Sequence, residues 1–409
     1  MQFEYCIDLK HKGKVSIDIK EINCSFIQLF LQNDNIRYTN EISLGLIVKE
    51  AKYTINHLLE NIDEGILITI PVGDGVREIN IEYKIPQYVE IGARSKKIVK
   101  LANDCFYGCL RYILFEPIEA EVDKYKLYVM WPQNWCGVKD CWNNVDELGD
   151  ILNTVIVGGK NIEVYKYDNI YISMSQREDN QQPRLINIYN GIKYLEKILK
   201  IPLNRKKNIF INVLEDKEIH GGISVGYSIL SEMDMYILFH ELVHIWIGNI
   251  IKFGKKSNWI KEGMAEYLSI KVLYNMGVID GKSICGYFKE RFDVIDVKGR
   301  CYNLVDNSSR LIKGSYLLDV YSIVYNVGMM VAMYVDACLI KSGKCIEEII
   351  HTLYENKRIV ETETYLGVIE KNISREKFEE IKCMIYGEVS IPEWTVLKKC
   401  LRKYVLVDS

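Results

Sequence analysis

Residues 240 to 244 read His-Glu-Leu-Val-His. On a helix, positions four apart share a face, so His240 and His244 can point at one metal ion. Glu241 sits beside that face, badly placed for a ligand but within reach of a water held by the metal. Zinc suits two neutral imidazoles and one carboxylate, and it leaves a fourth position for water. The pKa of such a water falls toward neutrality, and Glu241 can take its proton as general base. The chain has only 6 histidines, so two at this spacing around a glutamate make a specific signal. The plain alternative is a buried helix with two satisfied histidines. Met233 to Ile247 is apolar nearly all round, which predicts a buried helix. Its His-Glu-His groups then need partners, and one Zn2+ ion would supply them.

A third ligand has to come from a neighbouring element. Ser257-Asn258 offers a helix start, and Trp259 to Leu273 continues in helical pattern. Glu262 lies on the first turns of that helix. Glu266, four residues on, shares its face and could accept a hydrogen bond from a zinc-bound imidazole. The competing reading of Glu266 is a solvated surface carboxylate.

The string His240-Glu-Leu-Val-His244-Ile-Trp246-Ile-Gly248-Asn249, followed by Trp259-Ile-Lys-Glu262-Gly263-Met-Ala265-Glu266-Tyr267-Leu268, resembles the aminopeptidase N family of gluzincins. That family's pattern is H-E-x-x-H-x-W-x-G-N, then W-L-N-E-G-F-A-E-Y. The resemblance implies His240, His244 and Glu262 as the ligands of one zinc ion, Glu241 as the base, and a peptide as substrate. It has two departures. The loop between His244 and Glu262 is one residue shorter than usual, and Lys261 stands where the family has asparagine. The family also carries a tyrosine that hydrogen-bonds the tetrahedral oxyanion, in a Y-E-K-G motif. Tyr325-Asn-Val-Gly328 is the similar stretch, so the resemblance makes Tyr325 a catalytic candidate, with Tyr321 one turn away as its rival. Upstream of the zinc helix, aminopeptidases of the family carry G-x-M-E-N, whose glutamate binds the substrate's free amine. Here the similar stretch is His220-Gly221-Gly222-Ile223-Ser224-Val225-Gly226. Gly221, Gly222 and Ser224 are therefore the substrate-binding candidates. A serine cannot give the charge-assisted pairing that a carboxylate gives an ammonium group. The resemblance is tight from 240 to 268 and looser from Leu185 to about Pro392.

These residues need elements to hold them. The first 180 residues or so read mainly as β. Val15, Ile17 and Ile19 alternate with polar neighbours. Ile66 to Ile70, then Pro71-Val-Gly-Asp-Gly75, then Val76 to Tyr83 predicts a hairpin. Ile162 to Met174 gives two alternating runs around Asp168-Asn169. A short helix is expected near Val48 to Glu60. The polar stretch Arg177 to Gln182, ending at Pro183, is the candidate boundary. Beyond it, Leu185, Ile188, Ile192, Leu195 and Leu199 mark an amphipathic helix. Asn208 to Leu214 reads as a strand, and from Ser231 onward helical patterns dominate.

Composition excludes some classes. The net charge is −3 and the pI about 6.2, without the basic footprint of a nucleic-acid binder. Val320 to Val335 is apolar, but Asn326 interrupts it and Asp336 ends it, so a buried helix is expected rather than a membrane span. The 12 cysteines form no C-x-x-C pair; Cys105 with Cys109 and Cys136 with Cys141 are the closest. Without a signal-like N-terminus, they read as free thiols of a cytoplasmic protein.

The sequence thus predicts an α+β chain with three parts. Residues 1–182 form an N-terminal antiparallel β domain. Residues 183–330 form a thermolysin-like zinc peptidase catalytic domain, and 331–409 a short helical tail packed on it. The expected function is a zinc-dependent, aminopeptidase-like metallopeptidase. The alternatives are a dedicated endopeptidase or peptide-maturation protease, a zinc-containing peptide-binding module without turnover, and a zinc hydrolase acting on a non-peptide bond.

Overall fold

The computed structural model describes residues 1–11, 13–32, 46–50, 53–54, 56–62, 65–91, 96–118, 120–139, 142–176, 182–296, 301–312 and 318–401. The chain forms two compact units, one from residues 1–179 and 205–233, the other from 180–204 and 234–409. Of the expected boundary at 177–182, residues 177–181 fall outside the described residues, as does Cys141.

The first unit is built of sheets. Its largest runs in the order Trp142–Val145, Lys124–Met130, Gln2–Asp8, Lys14–Lys20, Glu78–Lys84, Ile47–Glu50, Tyr53–Thr54. A four-stranded sheet runs Glu116–Ile118, Phe26–Gln32, Gly65–Pro71, Leu58–Ile62. The period-two alternation works as expected, since Val15, Ile17 and Ile19 are fully buried while their neighbours are not. Phe3, Tyr5 and Ile17 from the first sheet share one core with Leu29, Leu31 and Ile68 from the second. Pairing is mostly antiparallel, but Gln2–Asp8 runs parallel to Lys124–Met130.

Two local expectations are corrected. Gly65–Pro71 and Glu78–Lys84 are both strands, yet they do not pair as a hairpin. The first pairs with Phe26–Gln32, and the second pairs with Lys14–Lys20. The turn residues were placed correctly, with Gly75 at φ +84. What differs is the partner, because the connection crosses from one sheet to the other and puts both apolar faces into the shared core. The expected helix near Val48 to Glu60 is instead the strands Ile47–Glu50 and Leu58–Ile62. Val48 sits opposite Ile81 in the large sheet. Burial of Val48 against that partner favours the strand.

Ile162–Tyr167 and Ile170–Ser175 do form the hairpin read around Asp168-Asn169. They continue into a five-stranded sheet through Ile209–Leu214 and Ser228–Glu232 to Gly222–Val225 at the edge.

The second unit is helical. Helix Gln182–Leu199 buries Leu185, Ile188, Ile192, Leu195 and Leu199, the predicted stripe. Helix Met235–Val243 carries His240 and Glu241, with His244 as its C-cap. Helix Asn258–Asn275 carries Glu262 and Glu266. The apolar run from Val320 to Lys341 is long enough to cross a membrane, but 78% of its most apolar window is buried inside the structure. Asp336 does not end this helix, which continues to Lys341. Its carboxylate is fully buried and is met by Lys271 and Tyr267.

Candidate active site

Asp234 starts the histidine helix Met235–Val243. Its carboxylate accepts from the backbone N–H groups of Tyr236 at 2.8 Å and Ile237 at 3.1 Å, a cap that contributes about 1 kcal/mol. Past Val243 the chain curls. Asn249 N–H donates to the His244 carbonyl, and Gly248, at φ +126, donates its N–H to Ile251 O. The two tryptophans of the motif anchor this frame from the core. Trp246 Nε1 donates to Ile201 O at 3.0 Å, and Trp259 Nε1 to Thr362 Oγ1 at 3.3 Å.

Three side chains converge in the interior. His240 Nε2 and His244 Nε2 are 3.0 Å apart. Glu262 Oε2 lies 3.1 Å from His244 Nε2 and 3.4 Å from His240 Nε2. His244 Nδ1 donates to Ile247 O at 2.9 Å, so its Nε2 faces the cluster with a lone pair. Ligand atoms held about 2.0–2.1 Å from a tetrahedral zinc ion sit ~3.3 Å from one another. The observed spacings match that triangle, and all three groups are buried. The residues present therefore fit a zinc ion.

The pocket's carboxylates set its electrostatics. Burial works against a charge on His240, but Glu266 and Glu262 outweigh it and push its pKa up to about 9. Burial also opposes the charge on Glu262. Lys261 and the two histidines prevail and hold its pKa well below the usual range. A buried carboxylate held ionised against facing imidazoles is a cation site, and metal binding there displaces protons.

Around these groups stand the remaining candidates. Glu241 is buried beside His240. Glu266 Oε1 lies 3.4 Å from His240 Nδ1. That nitrogen is buried without a hydrogen bond of good geometry, so Glu266 is the carboxylate nearest to orienting it. Tyr325 stacks on His240, ring centroids 5.8 Å apart at 19°. Tyr321 also stacks on Tyr325, with ring centroids 4.0 Å apart. Burial raises the Tyr325 pKa well above 10, and the Glu262 charge adds to it, so the phenol keeps its proton.

Tyr325 sits in a π-helical turn, Ile323–Val327, a local widening that recurs at functional sites. Gly263 and Gly328 let this segment approach the glutamate helix Asn258–Asn275. A Cβ on Gly263 would come within 2.3 Å of the Gly328 carbonyl carbon. The contact places Tyr325 against the histidine and glutamate helices.

Sequence reading missed the partners that hold Glu266. Tyr287, on helix Gly281–Asp296, donates to Glu266 Oε2 at 2.6 Å, and Arg291 Nη2 donates to Tyr287 Oη at 3.3 Å. Nothing in the local sequence of that helix marks either residue.

Gly221, Gly222 and Ser224 belong to the first unit. Gly221, at φ +102, donates its N–H to Glu232 Oε1. Lys96 Nζ donates to Gly222 O at 2.7 Å. Ser224 pairs with Ile229 in the edge strand.

No protein-family model and no curated protein matches the sequence. Solved structures do match. An aminopeptidase N family protein from Idiomarina loihiensis is 14% identical, over 97% of this chain and 78% of its own, with a TM-score of 0.75. A mutant M1 zinc metallopeptidase from Deinococcus radiodurans, bound to a Tyr-Ser-Ala substrate, is 10% identical over 96% and 95%, at 0.59. Native yeast LTA4 hydrolase is 14% identical over 96% and 68%, at 0.55. At these identities the likeness is one of fold, and the α+β architecture predicted from the sequence is the one these proteins share.

Proposed function

We propose that the chain is a zinc-dependent, aminopeptidase-like metallopeptidase that hydrolyses peptide bonds. The observation that carries this reading is the convergence of His240 Nε2, His244 Nε2 and Glu262 Oε2 at 3.0–3.4 Å, in a buried pocket that Tyr325 flanks. The fold shared with M1 zinc metallopeptidases supports it.

His240, His244 and Glu262 would hold a zinc ion, which would supply an electrophile for the scissile carbonyl and lower the pKa of the attacking water. Glu241 takes the proton from that water and passes it to the leaving amine. Tyr325, protonated at neutral pH, donates to the oxyanion as charge develops there. Glu266 fixes the ring of His240 through Nδ1. Gly221, Gly222 and Ser224 bind the substrate, a role supported by their place at a sheet edge where an extended peptide can add as a further strand.

The test is incubation of the zinc-loaded protein with a mixed peptide pool, each peptide free and N-acetylated, read by mass spectrometry against Glu241→Gln. Loss of single residues from free peptides alone, abolished by Glu241→Gln, is the expected result. Internal cuts in both forms would replace the aminopeptidase-like reading with an endopeptidase. Equal cleavage by Glu241→Gln would refute the assigned base.

A further inference from the structure

The two oxygens of Glu262 have different tasks. Oε2 faces the histidines, at 3.1 Å and 3.4 Å. Oε1 is held by the ammonium of Lys261 at 2.7 Å. Among the described residues, Glu262 is the ion-pair partner of Lys261, and the lysine side chain is partly exposed. Its stem is held in place by the chain that follows His244. A Cβ on Gly248 would meet Lys261 Cδ at 3.1 Å and Cγ at 3.4 Å, so the glycine leaves the trough in which the stem lies.

Charge makes this contact more than a clamp. Glu241, Glu262 and Glu266 put three carboxylates around the histidines, and Lys261 offsets one of them at the ligand itself. A positive charge beside a divalent cation weakens its binding and reduces the electron density its carboxylate ligand can donate. A neutral amide at this position would offer a similar hydrogen bond without either effect.

We propose that Lys261 is a positioning residue that sets how the metal is held and how strongly it acts. By occupying Oε1 it confines Glu262 to one-oxygen ligation, and its charge loosens the metal while increasing its Lewis acidity. This rests on the peptidase reading of the site, and it concerns a residue at which the chain departs from the aminopeptidase N pattern.

Two readouts independent of turnover test it. Competition with a chromophoric chelator gives the zinc dissociation constant. The visible spectrum of the cobalt-substituted protein, followed against pH, reports ionisation at the metal. Lys261→Gln keeps a donor and removes the charge. Its zinc dissociation constant should fall by about tenfold or more, on the scale of outer-shell effects, and its cobalt spectral midpoint should move to higher pH. Lys261→Arg keeps donor and charge and should stay within about threefold of wild type. A Lys261→Gln protein with an unchanged or weaker zinc affinity, beside a wild type that binds zinc stoichiometrically, overturns this proposal and leaves the peptidase reading standing. A wild type that takes up no zinc overturns both.

Discussion

The ring of Tyr325 lies nearly parallel to that of His240, 19° apart with centroids separated by 5.8 Å. One residue is a metal-ligand candidate and the other the proposed oxyanion donor, so the stack holds the two candidates in a fixed relation. Tyr325→Phe keeps the ring and removes the hydroxyl. The expected loss is about 10²–10³ in kcat, the scale for one oxyanion donor, with zinc stoichiometry unchanged. Steady-state kinetics and metal analysis on the same preparation check it, and a variant retaining wild-type kcat would exclude Tyr325 from the chemistry.

The approach of Gly263 to Gly328 has its own consequence. Gly263→Ala puts a methyl 2.3 Å from the Gly328 carbonyl carbon and 2.6 Å from its oxygen. The two segments must separate, at a cost of about 1–3 kcal/mol, and the π-helical turn moves with them. Urea unfolding should show the destabilisation, and kcat should fall with it. Gly286→Ala, in helix Gly281–Asp296, is the control. A Cβ there meets nothing within 4 Å, so this change should stabilise the protein by about 0.5–1 kcal/mol.

These geometries show where sequence reading reached and where it stopped. His240 and His244 were legible because i,i+4 spacing is a property of the helix itself, Glu262 was legible through the resemblance of its stretch to a family pattern, and the structure brings all three together. The strands at Lys14–Lys20 and the hairpin at Asp168-Asn169 were legible for the same reason, since period two and a two-residue turn are local. The partners of Gly65–Pro71 and Glu78–Lys84 were not, because a strand's pattern states which face is buried and not which strand lies beside it. The Tyr287–Glu266 bond joins two helices through side chains without a motif. The Lys261–Glu262 ion pair was visible only as a departure from a family pattern, and its geometry had to be seen.

Glu266 and Tyr287 should act on metal retention rather than on the fold as a whole. Glu266 Oε1 is 3.4 Å from His240 Nδ1, and Tyr287 donates to Oε2 at 2.6 Å. Glu266→Gln is expected to weaken zinc binding by about 10–100-fold, the usual effect of losing an outer-shell partner. Tyr287→Phe, one step further out, should weaken it less. Chelator competition measures both, and equal zinc affinities across the three proteins would remove Glu266 from the site.

The first unit carries a pH-dependent contact away from this chemistry. Hydrogen bonds from Lys100 and Lys97 depress the Glu218 pKa from 4.5 to about 2. Because the folded pKa lies below the unfolded value, the stabilisation is complete above about 4.5 and is lost as pH falls toward 2. The Glu218 side chain is 45% exposed, so screening keeps the effect small. The unfolding midpoint of wild type should exceed that of Glu218→Gln at pH 7, and the gap should close through that acid window. A gap that widened on acidification would contradict the assigned direction.

Deeper in the second unit, Lys271 links two acids. Its ammonium meets Asp336 Oδ2 at 3.0 Å and Glu347 Oε1 at 2.7 Å, and all three side chains are buried. Asp336 also accepts from the Ile346 N–H at 3.0 Å, at the start of helix Ile346–Glu355. Lys271→Met would leave two buried carboxylates without their cation, and breaking a buried pair this way costs about 3–5 kcal/mol. The Lys271→Met/Asp336→Asn/Glu347→Gln protein removes all three charges together and should recover much of that loss, because the penalty comes from unpaired charge and not from missing attraction. Chemical denaturation of wild type, the single variant and the triple variant separates the two causes. A triple variant no more stable than Lys271→Met would show that the network's hydrogen bonds, including the one to helix Ile346–Glu355, outweigh its charges.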